Sequence, residues 1–186
     1  MPSTLAFLVL IPALCWVICT DLLYRRIHNT LVLTLIALWV ALPVMALLGQ
    51  GPWAAFGHGE IMHELTGSLT GAVIVLLVGY GLFSLGQVGA GDVKLMAVMC
   101  LWIDCDDLMA FLIITALSGG MLALALPLLT LMENTCARGW LKVGRRYPQL
   151  NIPVPTVLTP DRPQGIPYGL AIASGAFYTL LFPIHS

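Results

Sequence analysis

Two aspartates stand in the most apolar part of this chain, where charge is hardest to keep. Asp21 closes a long apolar run in Ile18-Cys19-Thr20-Asp21-Leu22-Leu23. Asp92 follows Gly89-Ala90-Gly91 and precedes Val93-Lys94-Leu95, between two further apolar runs. A carboxylate near a bilayer centre costs about 2.5–3.5 kcal/mol on insertion scales, so an acid retained there generally has a function. A carboxyl pair is the smallest equipment for splitting a peptide bond with water, one group taking a proton and the other giving one. Two carboxyls close together titrate as a pair and can share a proton. Such chemistry needs no metal.

Each acid also has a purely structural explanation. Gly89-Ala90-Gly91-Asp92 reads as a tight turn with Asp92 as the N-cap of the next helix. Asp21 has Arg25 one turn on, an i,i+4 pair. Against this, an acid near a helix C-terminus is opposed by the helix dipole. Gly89 and Gly91 would also let backbone and substrate approach the Asp92 carboxylate closely. Two acids at one membrane depth, on different helices, favour a joint role.

The elements that must position them are membrane helices. Of the 186 residues, 59% are hydrophobic and 9% charged, and mean hydropathy is +0.95. Soluble domains carry about 25% charged residues. The chain reads as one membrane-embedded domain over residues 1–186. Its net charge of −1 gives no sign of a nucleic-acid partner. No basic residue precedes the first apolar run, so Met1 to Thr20 reads as a retained helix with its N-terminus outside, not a cleaved signal.

Apolar runs of spanning length are read at Leu5–Leu23, Leu31–Leu48 with Pro43 as a kink, Leu65–Leu85, Leu108–Met132 and Ile166–Ile184. A sixth, Val93–Ile103, gives only roughly 17 Å of helix against a core of roughly 30 Å. It can cross only if its start, with Asp92, lies below the lipid surface or the bilayer thins. The sequence therefore predicts an all-α polytopic protein of about six spans. The Gly67-x-x-x-Gly71 pair is assigned a packing role.

Charge then orients the bundle. All eight basic residues fall in the first, third and fifth loops: Arg25 and Arg26; Lys94; Arg138, Lys142, Arg145, Arg146 and Arg162. The second and fourth loops carry Glu60, Glu64, Asp104, Asp106 and Asp107 and no Lys or Arg. The positive-inside rule makes the odd loops cytoplasmic and both termini external. Asp21 and Asp92 then sit at the cytoplasmic ends of their helices. The loop 133–165 begins with Trp140, Leu141, Val143 and Tyr147 among basic residues, the pattern of a helix lying on a membrane surface. It continues through Pro153, Pro155, Pro160 and Pro163 to Pro167, a stretch unsuited to helix.

Other chemistry is poorly supplied. Cys15, Cys19, Cys100, Cys105 and Cys136 form no Cys-x-x-Cys pair and no zinc spacing. Cys15 and Cys19, one turn apart in an apolar run, read as small packing residues. His28, His58, His63 and His185 form no metal cluster, and solvated or capping roles suit them better. Ser118 precedes Gly119-Gly120, but no histidine in a span would serve it as a base. No metal and no cofactor is expected. Lys94, two residues from Asp92, lies on another helical face and reads as a snorkelling anchor.

Three motifs in order resemble the bacterial type IV prepilin peptidases. They are Asp21 with Ile27 and Asn29 after the first span, Gly89-Ala90-Gly91-Asp92-Val93-Lys94-Leu95, and Ile166-Pro167-Tyr168-Gly169-Leu170-Ala171-Ile172 opening the last span. The resemblance implies a Gly-x-Gly-Asp intramembrane aspartic endopeptidase of the bacterial inner membrane. It would remove the basic leader of prepilins and pseudopilins at the cytoplasmic face. Residue by residue it makes Asp21 and Asp92 the catalytic acids, with Asn29, Gly89, Gly91, Lys94, Pro167, Tyr168 and Gly169 as the supporting motif. Bifunctional members carry a cytoplasmic insert with two Cys-x-x-Cys pairs near the first loop and also N-methylate the product. Here that loop is about Tyr24 to Thr30 and has no cysteine. The chain resembles the short, peptidase-only form of tight-adherence (Flp) pilus systems.

Two alternatives remain open. Presenilin and signal-peptide-peptidase types also use Gly-x-Gly-Asp, but pair it with Tyr-Asp and a later Pro-Ala-Leu. Here Thr20 precedes Asp21, and Pro12-Ala13-Leu14 comes before both acids. A small proton-coupled transporter would use Asp21 and Asp92 as a relay. No internal repeat supports that, and both acids fall near one face.

Overall fold

The computed structural model describes residues 3–51, 53, 57–147, 149, 153–158 and 166–182. Helices run in the order α1 Ser3–Tyr24, α2 Asn29–Leu47, α3 His58–Ser84, α4 Ala90–Trp102, α5 Leu108–Leu124, α6 Leu126–Arg146 and α7 Tyr168–Leu181. A short 3-10 turn at Cys105–Asp107 leads into α5, and another at Thr156–Leu158 lies between α6 and α7. The described residues include no strand.

Four helical stretches are long and apolar enough to cross a bilayer: Ala6–Tyr24, Asn29–Ala46, Gly59–Ser84 and Cys105–Leu124. The protein is an all-helical polytopic membrane protein. The other two apolar runs are shorter than a span. α4 has 13 residues and α7 has 14, or about 20 and 21 Å against a core of roughly 30 Å. The shortfall of α4 was expected from sequence; that of α7, read there as 166–184, was not. Residues 183–186 lie outside the described part.

These two short helices form the centre of the bundle. α4 packs against α3, α2 and α7, and α7 packs against α5 and α1. α4 is buried without a break from Ala97 to Trp102, as befits a helix that is apolar all round. α7 buries Ala171, Ile172, Ala173, Gly175 and Ala176, small residues that let neighbours come close. Leu10, Leu14, Leu95, Met99, Phe111 and Ile172 fill the shared core. A helix surrounded by protein need not span the lipid. Non-helical backbone at membrane depth is tolerated where it is buried or lines a watery cavity, and both short helices begin at such a place.

Several boundaries depart from the hydropathy reading. α3 starts at His58, not Leu65, because Gly57 and Glu60 build a polar helix start: the Gly57 N–H donates to Glu60 Oε2 at 3.3 Å. The expected span Leu108–Met132 breaks at Ala125, just ahead of Pro127, which suits the first turn of a new helix. α6 then runs through the start of the expected loop 133–165 and buries Leu129, Glu133 and Ala137, one face at i, i+4, i+8. Pro153 and Pro155 lie in irregular chain; Pro160 and Pro163 fall outside the described residues. Cys15 and Cys19 are exposed on α1, not packed. Gly67 and Gly71 do pack closely: a Cβ would lie 2.9 Å from Cys105 Cβ at the first and 2.5 Å from Leu108 Cδ1 at the second.

Candidate active site

The site begins with how α3 stops. Gly86 takes a left-handed φ of 71°. Its N–H donates to the Phe83 carbonyl, and the Gln87 N–H donates to the Leu82 carbonyl. That double closure is a Schellman motif, which needs a residue at ease with positive φ. It turns the chain into Gln87–Gly89 and so into α4. Gly89 is the extended cap of α4, which places Asp92 three residues inside, in the first turn. Asp92 is therefore not the N-cap. Its carboxylate instead accepts from the Gly89 N–H, at a helix end whose dipole favours an acidic group.

Asp21 is held by a different helix. It lies in the last turn of α1, where α1's own dipole opposes it. The Gly169 N–H of α7 donates to Asp21 Oδ2 at 2.8 Å, and the Leu170 amide reaches the same carboxylate. Asp21 thus caps the N-terminus of α7 from outside, and that end offsets the opposition from α1. Pro167 is the buried residue at the cap of α7. Gly169 is there for space: a Cβ on it would stand 2.8 Å from Asp21 Oδ2 and 3.1 Å from Val17 Cγ1. Asp21 is 5% exposed, whereas Asp92 is half-buried. Thr20 spends its hydroxyl on the Trp16 and Val17 carbonyls.

The two carboxyls converge. Their charges interact, and both line one cavity of about 1080 Å³. Its walls come from the α1–α2 link, the α3–α4 link, the start of α6 and the start of α7. Asn29, Gly89, Gly91 and Tyr168 all line it. Gly91 brings α4 against the α1–α2 link, since a Cβ there would lie 3.2 Å from Ile27 Cβ. The Tyr168 ring sits close to Gly119 of α5. Lys94 is exposed, and its Nζ donates to Asn29 Oδ1 at 3.4 Å. Pro167 and Gly169 are behind the wall, acting through the α7 end.

One feature of the site escaped the sequence. Arg25 holds a left-handed φ of 51°, and its Nη2 pairs with Glu133 Oε1 at 2.6 Å, with Glu133 fully buried. This pair ties α6 to the end of α1 beside Asp21. Trp140 Nε1 donates to the Tyr24 hydroxyl at 3.2 Å, and that hydroxyl donates to the Pro153 carbonyl at 3.1 Å. The one signal was Glu133 itself, an acid just after the apolar Leu131-Met132. Its partner lies 108 residues away.

No curated protein and no solved structure matches the chain. A family model described as the type IV leader peptidase family matches residues 8–124. The matched stretch includes both aspartates, Asn29, Gly89, Gly91 and Lys94, and ends before Pro167, Tyr168 and Gly169. Because the match takes in more than half of the chain, this protein belongs to the type IV leader peptidase family, and its class of activity is that of a peptidase.

Proposed function

We propose that Asp21 and Asp92 are the catalytic acids of an intramembrane aspartic endopeptidase that removes the basic leader from type IV prepilins and pseudopilins of the Flp kind. One observation carries this: two acids from different helices share one cavity, each oriented by the amides of a helix start. A water between them would lose a proton to one carboxylate as its oxygen attacks the scissile carbonyl carbon. The other carboxyl would give its proton to the carbonyl oxygen. Collapse of the tetrahedral intermediate breaks the C–N bond, and the leaving nitrogen takes up a proton. Fixed amides keep the carboxyls placed, and placement is a large part of such catalysis.

A proton relay across a membrane would want its acids at different depths, and a cavity shared at one end favours hydrolysis. By charge, that end is cytoplasmic in a bacterial inner membrane. The link between α1 and α2 is only residues 25–28, with no room for a methyl-donor insert, so the product keeps a free N-terminal amine.

The test uses the purified protein in liposomes with a prepilin that has a basic leader ahead of a long apolar helix. Mass spectrometry should show one cut between leader and helix and an unmethylated new terminus. Chelators should leave the rate unchanged. An intact substrate would refute the activity; a methylated product would refute the peptidase-only form.

A further inference from the structure

α2 and α3 both pack on α4 but barely meet each other. Between them runs a trough of about 570 Å³, open to the lipid side and floored by α4. Its floor is buried and apolar: Val32, Ala72, Ala97, Val98 and Leu101. Its rim is exposed and apolar: Leu33, Val73 and Leu76. Alanines at 72 and 97 leave room for a neighbouring backbone to come close, as small residues do where membrane helices pair. Only Asn29 and Lys94 are polar, and they lie together at one end.

That end adjoins the carboxyls. Asn29 lines both the trough and the polar cavity. Lys94, Ala97, Val98 and Leu101 mark one face of α4 at i, i+3, i+4 and i+7. The face starts two residues after Asp92, about 3 Å along the axis. A helix lying on it ends level with Lys94, and the extended residue before it falls at Asp92.

We propose that this trough is the binding site for the apolar helix that follows the cleavage point, with the Asn29–Lys94 pair marking where helix gives way to the extended peptide in the cavity. The site rests on the prepilin-peptidase activity proposed above. An occupant that is an apolar helix with a polar extended end matches a trough that is apolar along its length and polar only at the cavity. A second groove, between α1 and α2, also reaches the cavity through His28, but Thr30 and Thr34 make its lining more polar.

The experiment is disulfide crosslinking in membranes. The enzyme has its native cysteines replaced, carries Asp92→Asn to stop turnover, and has one new cysteine at a time. Leu33→Cys and Val73→Cys probe the trough, Trp16→Cys and Leu38→Cys probe the second groove, and Leu117→Cys is a lipid-facing control on α5. The substrate is a prepilin with single cysteines along its apolar helix. Crosslinks are expected at the trough positions, recurring every three to four substrate residues, and not at Leu117. A second arm places Ala97→Phe in the active enzyme; KM for the full-length substrate should rise about tenfold or more with kcat little changed. Crosslinks confined to the second groove, or equally strong at Leu117, overturn the site while wild-type cleavage stands. Failure of wild-type enzyme to cleave the substrate removes the activity, and the site with it.

Discussion

Asp21 takes its main hydrogen bond from a residue 148 positions away. That contact links Pro167, Tyr168 and Gly169 to one of the aspartates: they form the helix start whose Gly169 amide bonds it. Gly169→Ala would place a methyl 2.8 Å from Asp21 Oδ2, so the carboxylate must move. A displacement of about 1 Å at a reacting group can cost about 100-fold. We expect a cleavage loss of that order with normal accumulation in the membrane, and a wild-type rate would refute the positioning role. The cysteines give the opposite expectation. Cys15, Cys19 and Cys136 are exposed, Cys105 is half-buried against Gly67 and Cys100 is buried, so replacing all five by Ala or Ser should leave cleavage intact, with packing loss confined to Cys100 and Cys105. An indispensable cysteine in a stably inserted protein would show that the two acids are not sufficient. The aspartates were legible in sequence because an acid in an apolar run stands out. Their amide donors were not, because a backbone N–H carries no sequence signature.

α6 is the element the sequence divided wrongly. Hydropathy carried α5 on to Met132, since Leu126, Leu128, Leu129 and Leu131 are as apolar as a span. The break at Ala125 instead uses Pro127 and lets the 129/133/137 face turn onto the bundle. The start of α3 was missed for the converse reason, as its first turns are polar. The short helices show what hydropathy can tell and what it cannot. The length of α4 was readable from its run, whereas the shortness of α7 depends on neighbours that leave its start at a cavity. The Arg25–Glu133 pair, buried on both sides, is the ionic tie between α6 and the end of α1. Removing one partner of a buried ion pair typically costs about 3–5 kcal/mol. Glu133→Ala should lower the melting temperature in detergent, expose the 153–158 stretch to protease and reduce cleavage, because Arg25 lines the cavity. An unchanged melting curve with full activity would mean that α6 is held by something else.

Across the whole molecule, charge is sorted by end. Glu64, Asp104 and Asp106 interact at one end, and Arg25 and Arg26 line the cavity at the other. The orientation proposed above, with the cavity toward the cytoplasm, follows from applying the positive-inside rule to that sorting. Reporter tags at Ser186 and within residues 49–58 should read external, and a tag near Pro160 cytoplasmic. A cytoplasmic Ser186 would invert the α7 orientation that brings Gly169 to Asp21. The proposed mechanism makes two acids 71 positions apart one catalytic unit. Asp21→Asn and Asp92→Asn keep side-chain shape but cannot exchange protons with water and peptide. The direct test compares leader removal by each single variant and by wild type, at matched membrane levels. The two-acid mechanism predicts that each substitution alone lowers the rate by at least about 100-fold. Wild-type processing by either single variant would contradict it.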